Sequence, residues 1–218
     1  MSNRSNGNDR SSGGSRGGLS RRGFLKGGVV TAAGAAIGDA TLESLAAEAK
    51  PAGAKIISGS TPVKLNVNGK DRTIEIEPRT TLADALRDRA DLTGTKVVCD
   101  RGSCSACTVF VNDVPQLSCM TLAIDAQGKK IRTIEGVAEG EKLHPVQEQF
   151  IQHDAMQCGF CTPGMIMSCV GLLERNKQPT LDDVKQATCG NLCRCGTYPK
   201  VFDATLAAAK QISTNQNA

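Results

Sequence analysis

Apolar and polar residues alternate in the first segment of the chain that reads as structured. Within residues 62–76, apolar positions recur from Val63 to Val67 and again from Ile74 to Ile76, on either side of Asn68-Gly69. An Asn-Gly pair between two alternating runs is a strong signal for a two-residue β-hairpin. The chain is therefore predicted to open its fold with a hairpin.

One helix and three more strands are predicted in the same half. The helix follows from Thr81, with Leu82, Ala85 and Leu86 on one face. The strands are Thr108 to Asn112, Ser118 to Ile124 and Lys130 to Ile134. Strands around a single helix predict an α+β half.

The hydrophobic period becomes helical from about Gly136 onward. Four helices are predicted, joined by Gly, Pro and Asn: His144–His153, Pro163–Arg175, Leu181–Ala187 and Pro199–Ile212. We therefore predict two domains, an α+β domain over residues 62–138 and an all-α four-helix domain over residues 139–212. A linker over 50–61 precedes them, and a disordered tail over 213–218 follows.

Composition limits what can hold two such domains together. Of 218 residues, 39% are hydrophobic, with no Trp, one Tyr and five Phe. Two small aliphatic cores need help from metals or covalent cross-links, for which the ten cysteines are the candidates. The net charge is +4, but residues beyond Ala49 carry 20 basic and 18 acidic side chains. No basic stripe with interleaved aromatics occurs there, so nucleic-acid binding is not predicted.

The first 49 residues have the order of parts found in an export signal. Residues 1–18 are polar and are predicted to be disordered. A basic segment containing Arg21-Arg22, a weakly apolar stretch from Gly27 to Gly38 and Ala47-Glu48-Ala49 follow. Arg21-Arg22 followed by Phe-Leu-Lys resembles the twin-arginine signal, which implies export of the folded protein to the periplasm by the twin-arginine machinery. The apolar stretch is too short for a stable membrane span. The alternative is an unstructured basic tail with an accidental arginine pair.

The first cysteine group is Cys99-x4-Cys104-x2-Cys107, followed by Cys119. This spacing matches the plant-type [2Fe–2S] pattern with its separated fourth ligand. The residues between the cysteines are small, so backbone N–H groups can approach the sulfides of an anionic cluster. A [2Fe–2S] cluster is therefore predicted in this loop.

The second cysteine group consists of Cys158-x2-Cys161 and Cys193-x-Cys195. Each pair is followed by Thr and Pro, so Thr162 and Thr197 are predicted as N-caps of helices. Two helix N-termini would then direct partial positive charge at one anionic cluster. Four cysteines complete a second site.

Other interpretations of the cysteines remain open from spacing alone. Export favours disulfides, although bridging such closely spaced cysteines strains disulfide geometry. Two zinc sites are a further alternative. The two histidines, His144 and His153, lie outside any Cys-x-His arrangement, which disfavours a Rieske centre; both are predicted to be ordinary helix-surface residues. Cys169 is predicted to be a buried apolar residue. Cys189, at a helix end, is predicted to be either a structural residue or a residue that lies near a cluster without binding it.

Three segments together resemble the iron–sulfur subunits of the xanthine oxidase family of molybdenum hydroxylases. They are Cys99-Asp-Arg-Gly-Ser-Cys-Ser-Ala-Cys-Thr-Val, Gln157-Cys-Gly-Phe-Cys-Thr-Pro-Gly-Met and Gly190-Asn-Leu-Cys-Arg-Cys-Gly-Thr-Tyr. With the export signal, the chain looks most like the small subunit of a periplasmic aldehyde oxidoreductase. Val98 and Ser105 stand where the family usually has Gly.

The resemblance implies a plant-ferredoxin-like β-grasp domain followed by a four-helix cluster-binding domain. It implies that one set of cysteines holds an inner [2Fe–2S] cluster near a molybdopterin and another set holds an outer cluster. The inner set is Cys158, Cys161, Cys193 and Cys195, and the outer set is Cys99, Cys104, Cys107 and Cys119. It also implies that Gln157 contacts the pterin and that Cys195 lies near it.

The implied function is electron transfer from molybdopterin on a large partner subunit to an FAD subunit or a cytochrome. No dinucleotide fingerprint, P-loop or acid–base pair occurs in the chain, so no catalytic residue is predicted on it. Two rival interpretations remain, a structural zinc-binding interaction module and a free-standing two-cluster ferredoxin.

Overall fold

The computed structural model describes residues 57–216 of the chain. The predicted signal peptide and residues 50–56 of the predicted linker lie outside the described residues. The strands are β1 Thr61–Val67, β2 Lys70–Ile76, β3 Thr108–Val111, β4 Val114–Leu117 and β5 Lys130–Arg132. The helices are α1 Leu82–Asp84, α2 Pro145–Gln152, α3 Thr162–Arg175, α4 Leu181–Thr188 and α5 Tyr198–Gln216. This content confirms the predicted α+β class.

The five strands form one mixed sheet in the order β2-β1-β5-β3-β4. Strands β1 and β5 are parallel, and the other neighbours are antiparallel. Asn68 and Gly69 join β1 to β2 with φ angles of 52° and 75°, as a two-residue hairpin turn requires. The predicted hairpin is thus confirmed. Helix α1 continues as a π-helical turn over Ala85–Arg89 and packs Leu82 and Leu86 onto the sheet.

The predicted strand from Ser118 to Ile124 is wrong. Asn112 and Asp113 both have positive φ angles and form a second tight turn, so the strand that pairs with β3 already begins at Val114. Ser118 then donates both its backbone N–H (3.2 Å) and its hydroxyl (2.7 Å) to the carbonyl oxygen of Cys107. With these two hydrogen bonds to one acceptor the strand ends, and the chain continues as a 3₁₀ helix, Ser118–Met120, that contains Cys119.

The helices begin and end close to their predicted bounds, with two differences. Helix α3 starts at Thr162 itself, and Cys161 occupies the N-cap position without a side-chain cap, so the predicted N-cap Thr162 is wrong. Helix α5 continues to Gln216. Residues 213–216, which the sequence assigned to a disordered tail, are therefore helical.

His144 differs from the predicted ordinary surface residue. It is half-buried at the N-cap of α2, where its Nδ1 accepts from the backbone N–H of Val146 at 3.2 Å. Its own backbone N–H donates to Oε1 of Gln147 at 3.0 Å, which completes a capping box. His144 therefore holds the entry of the chain into α2.

Strand β3 belongs to two apolar cores at once. Val109 and Val111 lie in the core between the sheet and α1, whereas Phe110 is fully buried among the helices. The guanidinium of Arg132 lies 4.4 Å from the centre of the Phe110 ring and bonds Glu174 of α3 at 2.7 Å. The two halves of the described chain thus share one strand. Within residues 57–216, no helix is both long and apolar enough to cross a membrane.

Candidate metal centres

The four cysteines of the first group converge at one end of the sheet. Cys99, Cys104 and Cys107 lie on the loop before β3, and Cys119 lies in the 3₁₀ turn after β4. The side chain of Cys99 lies next to that of Cys104, and the side chain of Cys119 next to that of Cys107. All but Cys99 are buried. The loop therefore arranges its thiols as two pairs.

Backbone N–H groups make the open side of this site favourable for negative charge. Hydrogen bonds from the backbone of Arg101 and from the Cys104 side chain lower the pKa of Cys99 to about 7. The N–H of Ser103 also donates to the Cys99 sulfur at 3.3 Å. Burial raises the pKa of Cys119 to about 11. Thiolates are the metal-binding form of cysteine, so Cys99 is the thiol most ready to bind.

The four cysteines of the second group also converge as two pairs. Cys158 and Cys161 precede α3, while Cys193 and Cys195 lie between α4 and α5. The side chain of Cys158 lies next to that of Cys195, and the side chain of Cys161 next to that of Cys193. Cys158 and Cys195 are exposed, whereas the other two are half-buried. This site is consequently open to solvent on the side of Cys158 and Cys195.

The thiols of the second site also differ in pKa. Burial acts to raise the pKa of Cys193, but hydrogen bonds from the hydroxyl and backbone N–H of Thr197 bring it down to about 7. The Thr197 oxygen lies 3.3 Å from the Cys193 sulfur. Burial and the neighbouring Cys193 raise the pKa of Cys161 to about 12. The pKa of Cys158 is also lowered and that of Cys195 is raised, so each pair of the second site contains one thiol that ionises more readily than its partner.

The remaining two cysteines lie outside both groups. Cys169 is fully buried in α3 and accepts a hydrogen bond from the Thr205 hydroxyl at 3.1 Å, which confirms its predicted burial. Cys189 is exposed at the C-terminal end of α4. All ten cysteines lie among the described residues, and none of them is bridged in a disulfide.

The two cysteine groups meet at their backbones. The N–H of Leu192, next to Cys193, donates to the carbonyl oxygen of Cys104 at 3.1 Å. Gly164 of α3 packs so closely on the first loop that an added Cβ would lie 2.3 Å from the Ser105 oxygen. Cysteines of both groups line one cavity of about 480 Å³, together with the exposed apolar side chains of Val98, Phe160 and Leu192.

A separate cavity of about 480 Å³ lies on the outer side of the second group. Gln157 and Cys195 both line it, together with Asp154, Met156, Gly196, Thr197, Pro199 and Lys200. The structure therefore brings Gln157 to the same cavity as the exposed Cys195. Asp154 and Lys200 form an ion pair at its rim.

Sequence reasoning missed two residues that hold the second group in place. The hydroxyl of Tyr198 accepts from the backbone N–H of Cys193 at 2.8 Å and donates to the carbonyl of Asn191 at 3.0 Å. Asn191 is 2% exposed. A signal was available for Tyr198, because it is the only tyrosine of the chain and follows Cys195 closely. Asn191 lies in the same segment, Gly190–Tyr198, that carries the family resemblance, but the segment alone does not indicate which groups its side chain bonds.

Two known families match the chain, and each match contains one of the two cysteine groups. The family profile "2Fe-2S iron-sulfur cluster binding domain" matches residues 65–130, and "[2Fe-2S] binding domain" matches residues 133–206. The twin-arginine translocation signal profile matches residues 18–38. These matches confirm the predicted export signal and the predicted kind of cluster domain in each half.

The alignments with two curated relatives extend over nearly the full length of those relatives. The aldehyde oxidoreductase iron-sulfur-binding subunit PaoA of Escherichia coli O157:H7 is 40% identical over 212 residues, 90% of each chain. The nicotine 6-hydroxylase small subunit of Paenarthrobacter nicotinovorans is 45% identical over 73% of this chain and 96% of its own. The chain belongs to the iron–sulfur small subunits of the molybdenum hydroxylases.

A solved structure of this family has the same fold. A chain of quinoline 2-oxidoreductase from Pseudomonas putida 86 superimposes with a TM-score of 0.68 at 44% identity, over 70% of this chain and 96% of that chain.

The donor sets fit binuclear clusters of the kind this family carries. A [2Fe–2S] cluster takes four cysteine thiolates, two on each iron. Each site presents four thiols in two pairs, and hydrogen-bond donors approach its sulfurs.

Proposed function

We propose that this chain relays electrons from a molybdopterin centre on a large partner subunit to an FAD subunit or a cytochrome. Cys158, Cys161, Cys193 and Cys195 would hold the inner [2Fe–2S] cluster, and Cys99, Cys104, Cys107 and Cys119 the outer one. When bound, each cluster accepts and releases one electron at a time. The ferredoxin-type β-grasp domain is assigned to residues 62–138 and the four-helix cluster-binding domain to residues 139–212.

One observation carries this proposal: the two cysteine groups are joined by a single backbone hydrogen bond. Cys193 of the inner group is covalently next to Leu192, whose N–H donates to the carbonyl of Cys104 in the outer group. An electron can therefore pass between ligands of the two sites through short covalent segments and one hydrogen bond.

The cavity beside the inner site supports Gln157 as the contact to the pterin. Gln157 is exposed and offers an amide donor and an amide acceptor next to the exposed Cys195. A pterin ring presents complementary donors and acceptors at its edge. Gln157 would orient the pterin so that its edge lies next to the inner site.

The surface between the two sites supports a large partner over a free carrier. Val98, Phe160 and Leu192 are 57%, 52% and 58% exposed. Apolar side chains grouped around an exposed metal site mark a protein interface. The twin-arginine signal supports a periplasmic location, to which the complex would be exported after its clusters are inserted.

The test is low-temperature EPR of the dithionite-reduced protein, purified with its partners. Two distinct rhombic [2Fe–2S] signals are expected, with a Mo(V) signal from the large subunit. Cys119→Ser should remove only the outer signal, and Cys161→Ser only the inner one. Cys189→Ser is the matched control, because Cys189 is an exposed cysteine outside both groups, and it should retain both signals.

Other results would support the rivals. A colourless, EPR-silent protein that contains zinc would overturn the electron-transfer proposal and leave an interaction module. Two cluster signals in a protein that never co-purifies with a molybdenum subunit would identify a free-standing ferredoxin.

A further inference from the structure

We propose that Asn191 is a positioning residue that fixes the loop of the inner cluster against the loop of the outer one. It would thereby set the spacing between the two clusters. This proposal rests on the proposed function for the identity of the clusters. Its basis is a buried amide whose hydrogen bonds run to both cysteine loops.

Asn191 is bonded through all four of its polar groups. Its side-chain Nδ2 donates to the carbonyl of Ser105 at 3.3 Å, and its Oδ1 accepts from the Ser168 hydroxyl at 2.8 Å. Its backbone N–H donates to Thr188 at 2.9 Å, and its carbonyl accepts from Tyr198 at 3.0 Å. Four separate segments of the fold therefore determine where this residue lies.

Two parallel links cross from the inner loop to the outer loop. The Asn191 amide bonds Ser105, and the N–H of Leu192 bonds Cys104. Cys104 is an outer ligand, and Cys193, next to Leu192, is an inner ligand. Two adjacent hydrogen bonds resist sliding and rotation of the loops, whereas a single bond would act as a pivot.

Only an amide satisfies both side-chain partners at this position. Ser105 presents a carbonyl, which also accepts from the Thr108 hydroxyl and can bond only a donor, and Ser168 presents a hydroxyl that donates to the amide oxygen. An aspartate of the same shape has no donor for the Ser105 carbonyl and would bring an unpaired charge into a buried site. Asn191→Asp should therefore break the link to Ser105 with little change in volume.

Ser168→Ala is a milder variant on the same network. It keeps Asn191 but removes the hydroxyl that orients its amide, so its effect should be smaller and in the same direction. Asn176→Asp is the matched control. Asn176 caps the C-terminal end of α3 and bonds Asp183 and Gln178, away from both cysteine loops.

The experiment measures the magnetic interaction between the two reduced clusters, seen as splitting or broadening of their EPR signals, and the two reduction potentials. The full chain is used together with its partners. Asn191→Asp should retain both signals, because all eight cysteines remain, but should weaken their interaction and change the difference between the potentials. Ser168→Ala should do so less, and Asn176→Asp should match the wild type.

The proposal is overturned if Asn191→Asp and Ser168→Ala lower the melting temperature while the interaction and both potentials stay as in the wild type. That result would mean that Asn191 stabilises the fold but does not set the spacing between the clusters. A wild-type protein without two [2Fe–2S] signals would instead overturn the proposed function on which this inference depends.

Discussion

Ser105 has a backbone conformation that an L-residue adopts at a cost. Its φ angle is +54°, in the left-handed region, where a non-glycine residue loses about 1–2 kcal/mol. In exchange, its carbonyl accepts from the Thr108 hydroxyl at 2.7 Å and from the Asn191 amide at 3.3 Å. The strain therefore lies where the first cysteine loop meets the second.

Ser105→Gly should stabilise the protein. It removes this strain at an entropic cost of about 0.5–1 kcal/mol in the unfolded chain, so a net gain of up to about 1 kcal/mol is expected. Ser103→Gly in the same loop is the matched control, because Ser103 has no positive φ angle and should lose stability. Denaturant unfolding followed by circular dichroism and by cluster absorbance measures both. Equal losses in the two variants would show that Ser105 is not strained.

The cap of helix α2 makes its stability depend on pH. Burial lowers the pKa of His144, with smaller opposing effects of Glu174 and Glu148 and reinforcing effects of Arg132 and Lys177. The neutral ring is required because Nδ1 accepts from Val146, and a protonated Nδ1 cannot accept. An imidazolium would also face the positive end of the helix dipole.

The cap is therefore expected to make its full contribution to the free energy of unfolding above pH 6.5, the ordinary pKa of histidine. This contribution is lost as the pH falls below 6.5 toward the lower pKa of the folded state. His144→Asn keeps an acceptor at the cap but cannot titrate, so it should flatten this decline between about pH 7.5 and 5. His153→Asn, at the other end of the same helix, should leave the decline unchanged. Urea unfolding at a series of pH values tests the difference, and a decline unaltered in His144→Asn would contradict the assignment.

Local pattern predicted those elements whose determinants are local. The Asn68-Gly69 hairpin and the four later helices follow from alternation, turn chemistry and helical period in the sequence. The predicted strand from Ser118 failed because its end depends on the carbonyl of Cys107, eleven residues earlier in the chain. An apolar run of that length carries no sign of such a bond.

Spacing likewise predicted the membership of the two cysteine groups but not their internal arrangement. The pairing of Cys99 with Cys104 and of Cys158 with Cys195 depends on the loop conformation and the helix positions. The contact of Asn191 with Ser105 joins residues 86 positions apart. Only the folded chain reveals which loop the amide reaches.

The whole described chain depends on a strand that two cores share. The ring of Phe110 in β3 is fully buried. It packs among the helices, outside the sheet core, and contacts Arg132. On either side, Val109 and Val111 pack into the other core. Loss of the Phe110 ring should therefore weaken the helical half and, through β3, the cysteine loop that precedes this strand.

Phe110→Ala should lower the stability of the protein by about 3–5 kcal/mol, as truncation of a buried Phe does. The measurement is EPR of samples that are heated to successive temperatures and then frozen. Both [2Fe–2S] signals should be half lost at the same temperature, and this temperature should be lower than in the wild type. Val114→Ala on β4 is the control, because its side chain is 55% exposed and its change should stay within about 0.5 kcal/mol. Loss of the inner signal alone, with the outer one kept to the wild-type midpoint, would show that the halves unfold independently and that the shared strand does not couple them.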